Sequence, residues 1–147
     1  GGIAFGLKLV FVDSAECYFA EPTHAPCMAL GLISGKHDEV SVYDIGIDGK
    51  TQADGLAVSR ASKFVGKIAQ HIVSGCYTLT DEKMFELLSI LSQYENINVE
   101  PSAAASLNGA LLNADSENCV HLCWLTGGSM VPDDMMREFI QTGSDLV

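Results

Sequence analysis

Residues 17–35 read CYFAEPTHAPCMALGLISG, and the order of residue types in this stretch decides the fold. CYFAEP is a short apolar run ending at Pro22, the pattern of a buried strand closed by a turn residue. EPTHAPC follows as a loop. APCMALGLISG then carries Pro26 near its first turn and Gly35 just past its end, the asymmetry expected of a helix. Strand, loop and helix in that order are the unit of an α/β layer, whose ligands gather in the loops after the strands.

The same alternation extends in both directions. Residues 3–12 form an apolar run too short to separate strand from helix, and the shared helical face of Ile3, Leu7 and Val10 tips it toward helix. VSVYDIGID (40–48) reads as extended or strand-like, with a turn at DGK. GLAVSRASKFVGKIAQHIVSG (55–75) is the clearest helical pattern, with Leu56, Phe64, Ile68 and Ile72 in register and Gly75 as a stop. YTLT (77–80) is a short strand, and Thr80 caps a helix reaching to about Tyr94 whose apolar face is Met84, Leu87, Leu88 and Leu91. INVEP is extended, SAAASLNGALL (102–112) is a helix of small residues built for close packing, and CVHLCWLTGG (119–128) is a strand ending in glycines. PDDMMREFIQTG (132–143) closes the chain with a helix that has Pro132 and two acids at its start. The expected fold is α/β, a mostly parallel sheet flanked by helices.

Composition excludes several partners. Nineteen acidic residues against eight basic ones give a net charge of −11, and the basic residues are scattered singly. A phosphate backbone or an anionic membrane needs clustered Lys and Arg, so neither is an expected partner. The apolar runs fall far short of the ~18–20 residues of a membrane span. The first residues have no basic leader and Lys8 interrupts their apolar run, against a targeting segment. The five cysteines, 17, 27, 76, 119 and 123, are an odd number in apolar settings, the usage of reduced core thiols in the cytoplasm. Only 18% of residues are charged, below the roughly 25% of an average soluble domain, as would follow if some faces were covered by a partner segment.

Two metal readings are set aside on spacing. Cys17, His24 and Cys27 match no strong zinc pattern. Cys119, His121 and Cys123 share one face of the expected strand, but steps of about 6–7 Å along it are too wide for one tetrahedral ion. His37 and His71 read as surface or helix-end residues.

Taken in order, GGIAFGLKL, CYFAEPTHAPCMALGL, SVYDIGIDGKTQADGLAVSRASKFVG, YTLTDEKMFELL, VEPSAA and WLTGGSMVPDDMMREFI cover nearly the whole chain. Together they resemble the C-terminal part of the D-serine dehydratases (D-serine ammonia-lyases), pyridoxal-phosphate enzymes of fold type II, the tryptophan-synthase β fold. FAEPTHAPCM and the DIGID…TQADGLAV pair are the most specific of these stretches.

The resemblance implies residues 1–147 are the C-terminal portion of a pyridoxal-phosphate-binding catalytic domain, beginning inside a phosphate-binding Gly loop. It implies a parent enzyme, monomeric and cytoplasmic, that converts D-serine to pyruvate and ammonia. Gly1, Gly2 and Ile3 would be the end of the phosphate cradle, where backbone N–H groups meet an anion at a helix start. Thr126 would lie beside the pyridine nitrogen, a neutral hydroxyl that leaves the ring a weaker electron sink suited to β-elimination. Gly127 continues that loop, and Glu100 would lie near the same ring edge. Ser129 stands where the family often has a third glycine. Glu21 with the carbonyls of Ala25 and Cys27 would bind a monovalent cation, potassium or sodium.

No catalytic residue is expected in this chain. None of its six lysines (8, 36, 50, 63, 67, 83) sits in the family's Schiff-base motif, so the chain alone would be inactive without its N-terminal half. Read from residues alone, the Gly pair is an ordinary turn, Glu21 a loop cap, Thr126 a hydroxyl bonded to its own strand end, and Glu100 an exposed or capping acid. The alternatives are another fold-type-II enzyme, a threonine dehydratase or a serine racemase, or a binding module that kept the fold and lost the chemistry.

Overall fold

A computed structural model describes residues 1–113 and 118–147. The described elements, in order, are α1 (Gly2–Phe11), β1 (Tyr18–Pro22), α2 (Cys27–Ser34), α3 (Lys63–Ile72), β2 (Gly75–Leu79), α4 (Asp81–Glu95), α5 (Pro101–Leu112) and α6 (Asp133–Ser144). Short 3-10 turns lie at Val12–Ser14, His37–Glu39, Val42–Ile45 and Asp54–Leu56. The expected α/β class is what the chain forms: β1 and β2 pair as a two-stranded parallel sheet, and α2 and α3 lie between them in sequence.

The described residues fall into two compact units, Gly1–Lys50 with Val58–Thr78 and Thr51–Ala57 with Leu79–Val147. In the first, α2 packs on β1 and α3. Two glycines set that packing. A Cβ on Gly31 of α2 would stand 3.0 Å from the His37 carbonyl oxygen, and one on Gly66 of α3 would stand 2.9 Å from the His37 ring nitrogen Nδ1. His37 is buried at 9% exposure with φ +49° and, among the described residues, no hydrogen-bond partner for Nδ1. It is therefore not a surface residue; it opens the 3-10 turn His37–Glu39, three residues beyond the end of α2. His71 does lie in the last turn of α3.

The α3 helix begins later than its periodicity suggests. The residues from 59 to 61 are held away from helical geometry by pairing: Ser41 and Arg60 form an isolated antiparallel bridge, and the Val42 N–H donates to the Ser59 carbonyl at 2.9 Å. Ser62 then caps α3, its Oγ accepting from the Val65 N–H at 3.5 Å. The buried side of α3 runs through Gly66 and Ala69, while Phe64 is 69% exposed. Residues 42–45, read as extended, instead make a 3-10 turn closed by a capping box between Ser41 and Asp44, which ends at Gly46 with φ +81°.

In the second unit α4 is the central helix, packed by α5 and α6. Thr80 caps it as expected, accepting from the Lys83 N–H at 3.3 Å. Its predicted apolar residues Met84, Leu87, Leu88 and Leu91 are all buried, and Ala103, Ala104 and Ala105 of α5 are buried as well. The axes of α4 and α6 approach closely at Gly143, where a Cβ would collide with the Phe85 carbonyl and stand 2.8 Å from the Ser89 Cβ. Phe85 and Phe139 fill the flank, ring centroids 5.6 Å apart.

Residues 119–125, expected as a strand, are not one. The alternation of residue types is there, but a strand exists only where a neighbour takes its N–H and C=O groups, and none does so among the described residues. Val120 is 96% exposed, Leu122 67% and Trp124 50%.

The close approach at Gly143 yields a direct test. Gly143→Ala should lower stability by about 2–3 kcal/mol through overpacking against α4. Gly6→Ala, in α1 with nothing within 4 Å of its Cβ position, should leave stability unchanged or raise it by up to about 1 kcal/mol. Urea unfolding of the two variants measures the contrast.

Candidate functional site

The turn from β1 into α2 is built on one buried carboxylate. Glu21, 6% exposed, ends the strand and reaches forward to the helix start. Its Oε1 accepts from the Met28 N–H and its Oε2 from the Ala29 N–H, both at 2.8 Å. These are first-turn donors that the helix cannot satisfy internally, and the positive end of the helix dipole favours the charge. Burial nonetheless pushes the Glu21 carboxyl above its ordinary range, with the two backbone bonds and the Cys27 thiol opposing the rise. Cys27 is pushed up to about 12, first by burial and then by the adjacent Glu21 charge. Burial raises Cys76 as well, to about 11. The sequence-predicted trio is thus together: Glu21 with Cys27 by hydrogen bond, and the Ala25 carbonyl accepting the Cys27 N–H at 2.9 Å. The Glu21 carboxylate and the Ala25 carbonyl already serve the turn, and that of Glu21 is the capping role read from the residues alone.

At the chain start, Gly1 is the N-cap of α1 and no side chain caps it, nor is there an acid in the first turn. A Cβ on Gly1 would stand 2.9 Å from Val65 Cγ1, whereas the Cβ position of Gly2 has nothing within 4 Å. Gly1, Gly2 and Ile3 are all exposed. Unclaimed amides at a helix N-terminus, open on the glycine side, suit a phosphate.

The second unit brings Glu100 and the Thr126–Gly127 loop together. Gly127 and Gly128 have φ of +79° and +124°, conformations that favour glycine. A Cβ on Gly127 would stand 2.6 Å from the Glu100 carboxyl carbon, and one on Gly128 would stand 2.6 Å from the Asn98 carbonyl oxygen. Glu100 is the N-cap residue of α5, yet its side chain makes no capping bond. A side-chain oxygen at an N-cap, most often that of Ser, Thr, Asp or Asn, accepts from the helix amides, a bond worth about 1 kcal/mol. Here that bond is forgone and the half-buried carboxyl lies against Gly127. Thr126 is exposed, a neutral hydroxyl beside this carboxylate's loop. Ser129, in place of a third glycine, is exposed and does not have positive φ, so the loop needs no glycine there.

One pairing had no signal in the sequence. His24 Nδ1 lies 2.7 Å from Asp48 Oδ1, joining the loop after β1 to the turn at residues 48–50. With Thr23, Gly46 and Ile47 the pair lines a half-open cavity of about 340 Å³. The His24 hydrogen bond, followed by that from the Lys50 N–H, holds the Asp48 carboxyl below its usual value. Partners 24 residues apart follow no local spacing rule. Among the described residues no group of three or more His, Cys, Asp or Glu side chains is placed to hold a metal ion, and no helix is long and apolar enough to cross a membrane.

Comparison with known proteins places the chain in a family. The family model described as pyridoxal-phosphate dependent enzyme matches residues 1–122. A probable D-serine dehydratase of Carboxydothermus hydrogenoformans is 51% identical over 143 residues, covering 97% of this chain and 34% of that protein. The D-serine dehydratase of Yersinia enterocolitica is 49% identical over 156 residues, covering 97% of this chain and 35% of that protein. Among solved structures, maize serine racemase matches with a TM-score of 0.73 at 20% identity, over 95% of this chain and 43% of that one. The processed form of threonine deaminase isoform 2 from Solanum lycopersicum matches with a TM-score of 0.72 at 17% identity, over 97% and 38%. The structural likenesses establish the fold. The chain spans about a third of the length of the curated relatives it matches, 34% and 35% in the two above.

The raised Glu21 carboxyl gives a pH signature. Its folded pKa lies above the unfolded value, so the stability it contributes is full below the unfolded value and is lost as pH rises through the folded one. The urea midpoint of the parent chain minus that of Glu21→Gln should therefore increase as pH is lowered from neutrality toward the ordinary glutamate value of 4.5. Subtraction cancels the other carboxylates, and a flat difference would show that Glu21 titrates as in the unfolded chain.

Proposed function

Since the chain belongs to the pyridoxal-phosphate dependent enzyme family, which matches it over residues 1–122, we propose that it is the C-terminal portion of the catalytic domain of a D-serine ammonia-lyase. The reaction is the elimination of D-serine to pyruvate and ammonia, a step of D-amino-acid breakdown. The observation that carries this reading is the 51% identity to a probable D-serine dehydratase across 97% of the chain. Likeness to serine racemase and threonine deaminase structures is one of fold and does not argue for their substrates.

The residues present fit the coenzyme. In the first unit, the uncapped amides of Gly2 and Ile3 at the start of α1, with Gly1 before them, would take its phosphate through backbone donors. In the second unit, Thr126, Gly127 and Glu100 would take an edge of its ring. Bound there, the coenzyme supplies an electron sink that lowers the cost of negative charge at the substrate α-carbon. Thr126 offers a neutral hydroxyl rather than a charge, so it orients the ring without fixing a proton on it. Gly127 removes the side chain that would separate the Glu100 carboxylate from that loop.

The lysine that carries covalent catalysis is assigned to the rest of the polypeptide, so these 147 residues alone would be inactive. The parent is proposed as a cytoplasmic monomer. Its cytoplasmic setting is supported by the free thiols of Cys17, Cys27, Cys76, Cys119 and Cys123. A potassium or sodium ion at the Glu21 carboxylate and the Ala25 and Cys27 carbonyls is retained as part of the proposal. The support for it is that these three residues share one turn, with a carboxylate and neutral carbonyls as donors.

The test is substrate preference and coenzyme retention in the whole polypeptide that carries this chain. Pyruvate should form from D-serine in preference to L-serine, with L-threonine a poor substrate; a preference for L-threonine would move the protein to another branch of the fold. Gly2→Ala should leave unfolding unaffected, because its Cβ position is open. The same change should weaken coenzyme binding by at least about tenfold, or 1.4 kcal/mol, by obstructing the phosphate. Equal coenzyme affinity in the two proteins would remove Gly2 from the cradle.

A further inference from the structure

Gly55 sits in the 3-10 turn Asp54–Leu56, within the stretch TQADGLAV, and nothing in the proposed chemistry uses it. Its φ is not in the positive range, so its backbone conformation is open to any residue. What excludes a side chain is proximity. A Cβ on Gly55 would stand 3.0 Å from Ser102 Oγ and 3.3 Å from Glu100 Oε1, and the Gly55 N–H donates to that same Ser102 oxygen at 3.0 Å. On Gly127, a Cβ would stand 2.8 Å from the same Glu100 oxygen. Two glycines from separate segments thus leave space at one carboxyl. That carboxyl makes no capping bond to the helix that follows it.

We propose that Gly55 is a positioning residue: with Gly127 it keeps clear the room in which the Glu100 carboxylate is presented to the ring edge of the coenzyme. The inference rests on the coenzyme reading given under Proposed function and deepens it. A carboxylate is an acceptor only, and a half-buried one is oriented by what surrounds it. Here the Ser102 hydroxyl is anchored by the Gly55 amide, so the wall on that side is built by the turn itself. A methyl group on Gly55 must displace either the Ser102 hydroxyl or the Glu100 carboxylate. The first displacement would be a matter of packing, and the second would redirect a group facing the ligand.

The experiment compares Gly55→Ala, Gly55→Ala with Ser102→Ala, and Glu100→Gln in the whole polypeptide carrying this chain. It follows the absorption and circular dichroism bands of the bound coenzyme, its dissociation constant, and the carboxyl ¹³C resonance of Glu100. Gly55→Ala should weaken coenzyme binding by about tenfold, shift the coenzyme band and move the Glu100 resonance. Removing the Ser102 hydroxyl as well should not restore them. Restoration by Ser102→Ala, or a band and affinity equal to the parent's, would reduce Gly55 to local packing and overturn the proposal. Should Gly55→Ala fail to fold, Glu100→Gln must itself shift the coenzyme band, and an unmoved band overturns the ring-facing role. A parent that binds no coenzyme brings down the functional reading and this inference with it. A Glu100 resonance that stays put in Gly55→Ala brings down this inference alone.

Discussion

The constraint on which the first unit depends is the burial of a carboxylate at the end of a strand. Glu21 cannot lie 6% exposed without partners, since an unpaired charge out of water costs several kcal/mol. Its partners are the Met28 and Ala29 amides, which exist as free donors only because a helix starts there. The charge needs the helix start, and the helix start needs an acceptor. Once that exchange is made, the path from β1 through EPTHAPC into α2 is set, along with the placing of Ala25 and Cys27. The raised pKa of Glu21 is the residue of the same compromise, since its hydrogen bonds offset the burial but do not cancel it, and the Glu21 charge adds to burial in raising that of Cys27.

Glycine provides the complementary device, space where charge provides attachment. Gly31 and Gly66 admit His37 between two helices, and Gly143 lets α6 lie on the Phe85 carbonyl of α4. Gly127 and Gly128 let a loop run against Asn98, Val99 and Glu100. The last pair combines positive φ with close approach, so neither demand alone explains it. Against helix–helix contact the missing side chain serves packing. Beside Glu100 it exposes an acceptor, and that difference separates the structural glycines from those assigned to the coenzyme.

How much of this was legible in the sequence follows from the range of each signal. Pro101, given to the extended INVEP, in fact opens α5, whereas the starts of α2, α4 and α6 and the glycine after α2 are written in single residues: Pro26, Thr80, Pro132 and Gly35. They act within a few positions and were readable. The apolar face of α4 held because every member is buried by neighbours in the same unit. The start of α3 did not, because Leu56 falls at helical spacing by coincidence while Ser59 and Arg60 are drawn into pairing with Val42 and Ser41. Glu100 was nameable as a residue type at a helix start. That it declines to cap, and that Gly55 stands beside it, depends on partners 45 or more positions apart, as the Gly55–Ser102 bond with its separation of 47 illustrates. His24 with Asp48 and the burial of His37 were hidden for the same reason.

Residues 119–125 mark the boundary between pattern and structure most sharply. Alternation encodes which side chains would face which way, but the energy of a strand resides in the ladder it shares with a neighbour. Val120, Leu122 and Trp124 remain half or more exposed, so half or more of the surface of each forgoes the roughly 25 cal/mol that each buried apolar Å² would contribute. A sequence that spends β-branched and aromatic residues in this way is consistent only with a setting in which the face is covered. Under the proposed function that setting is the remainder of the catalytic domain. The segment leads directly into Thr126 and Gly127, so a neighbour that ordered 119–125 as a strand would also brace the loop assigned to the coenzyme ring. Completion of the sheet and completion of the site would then be one event.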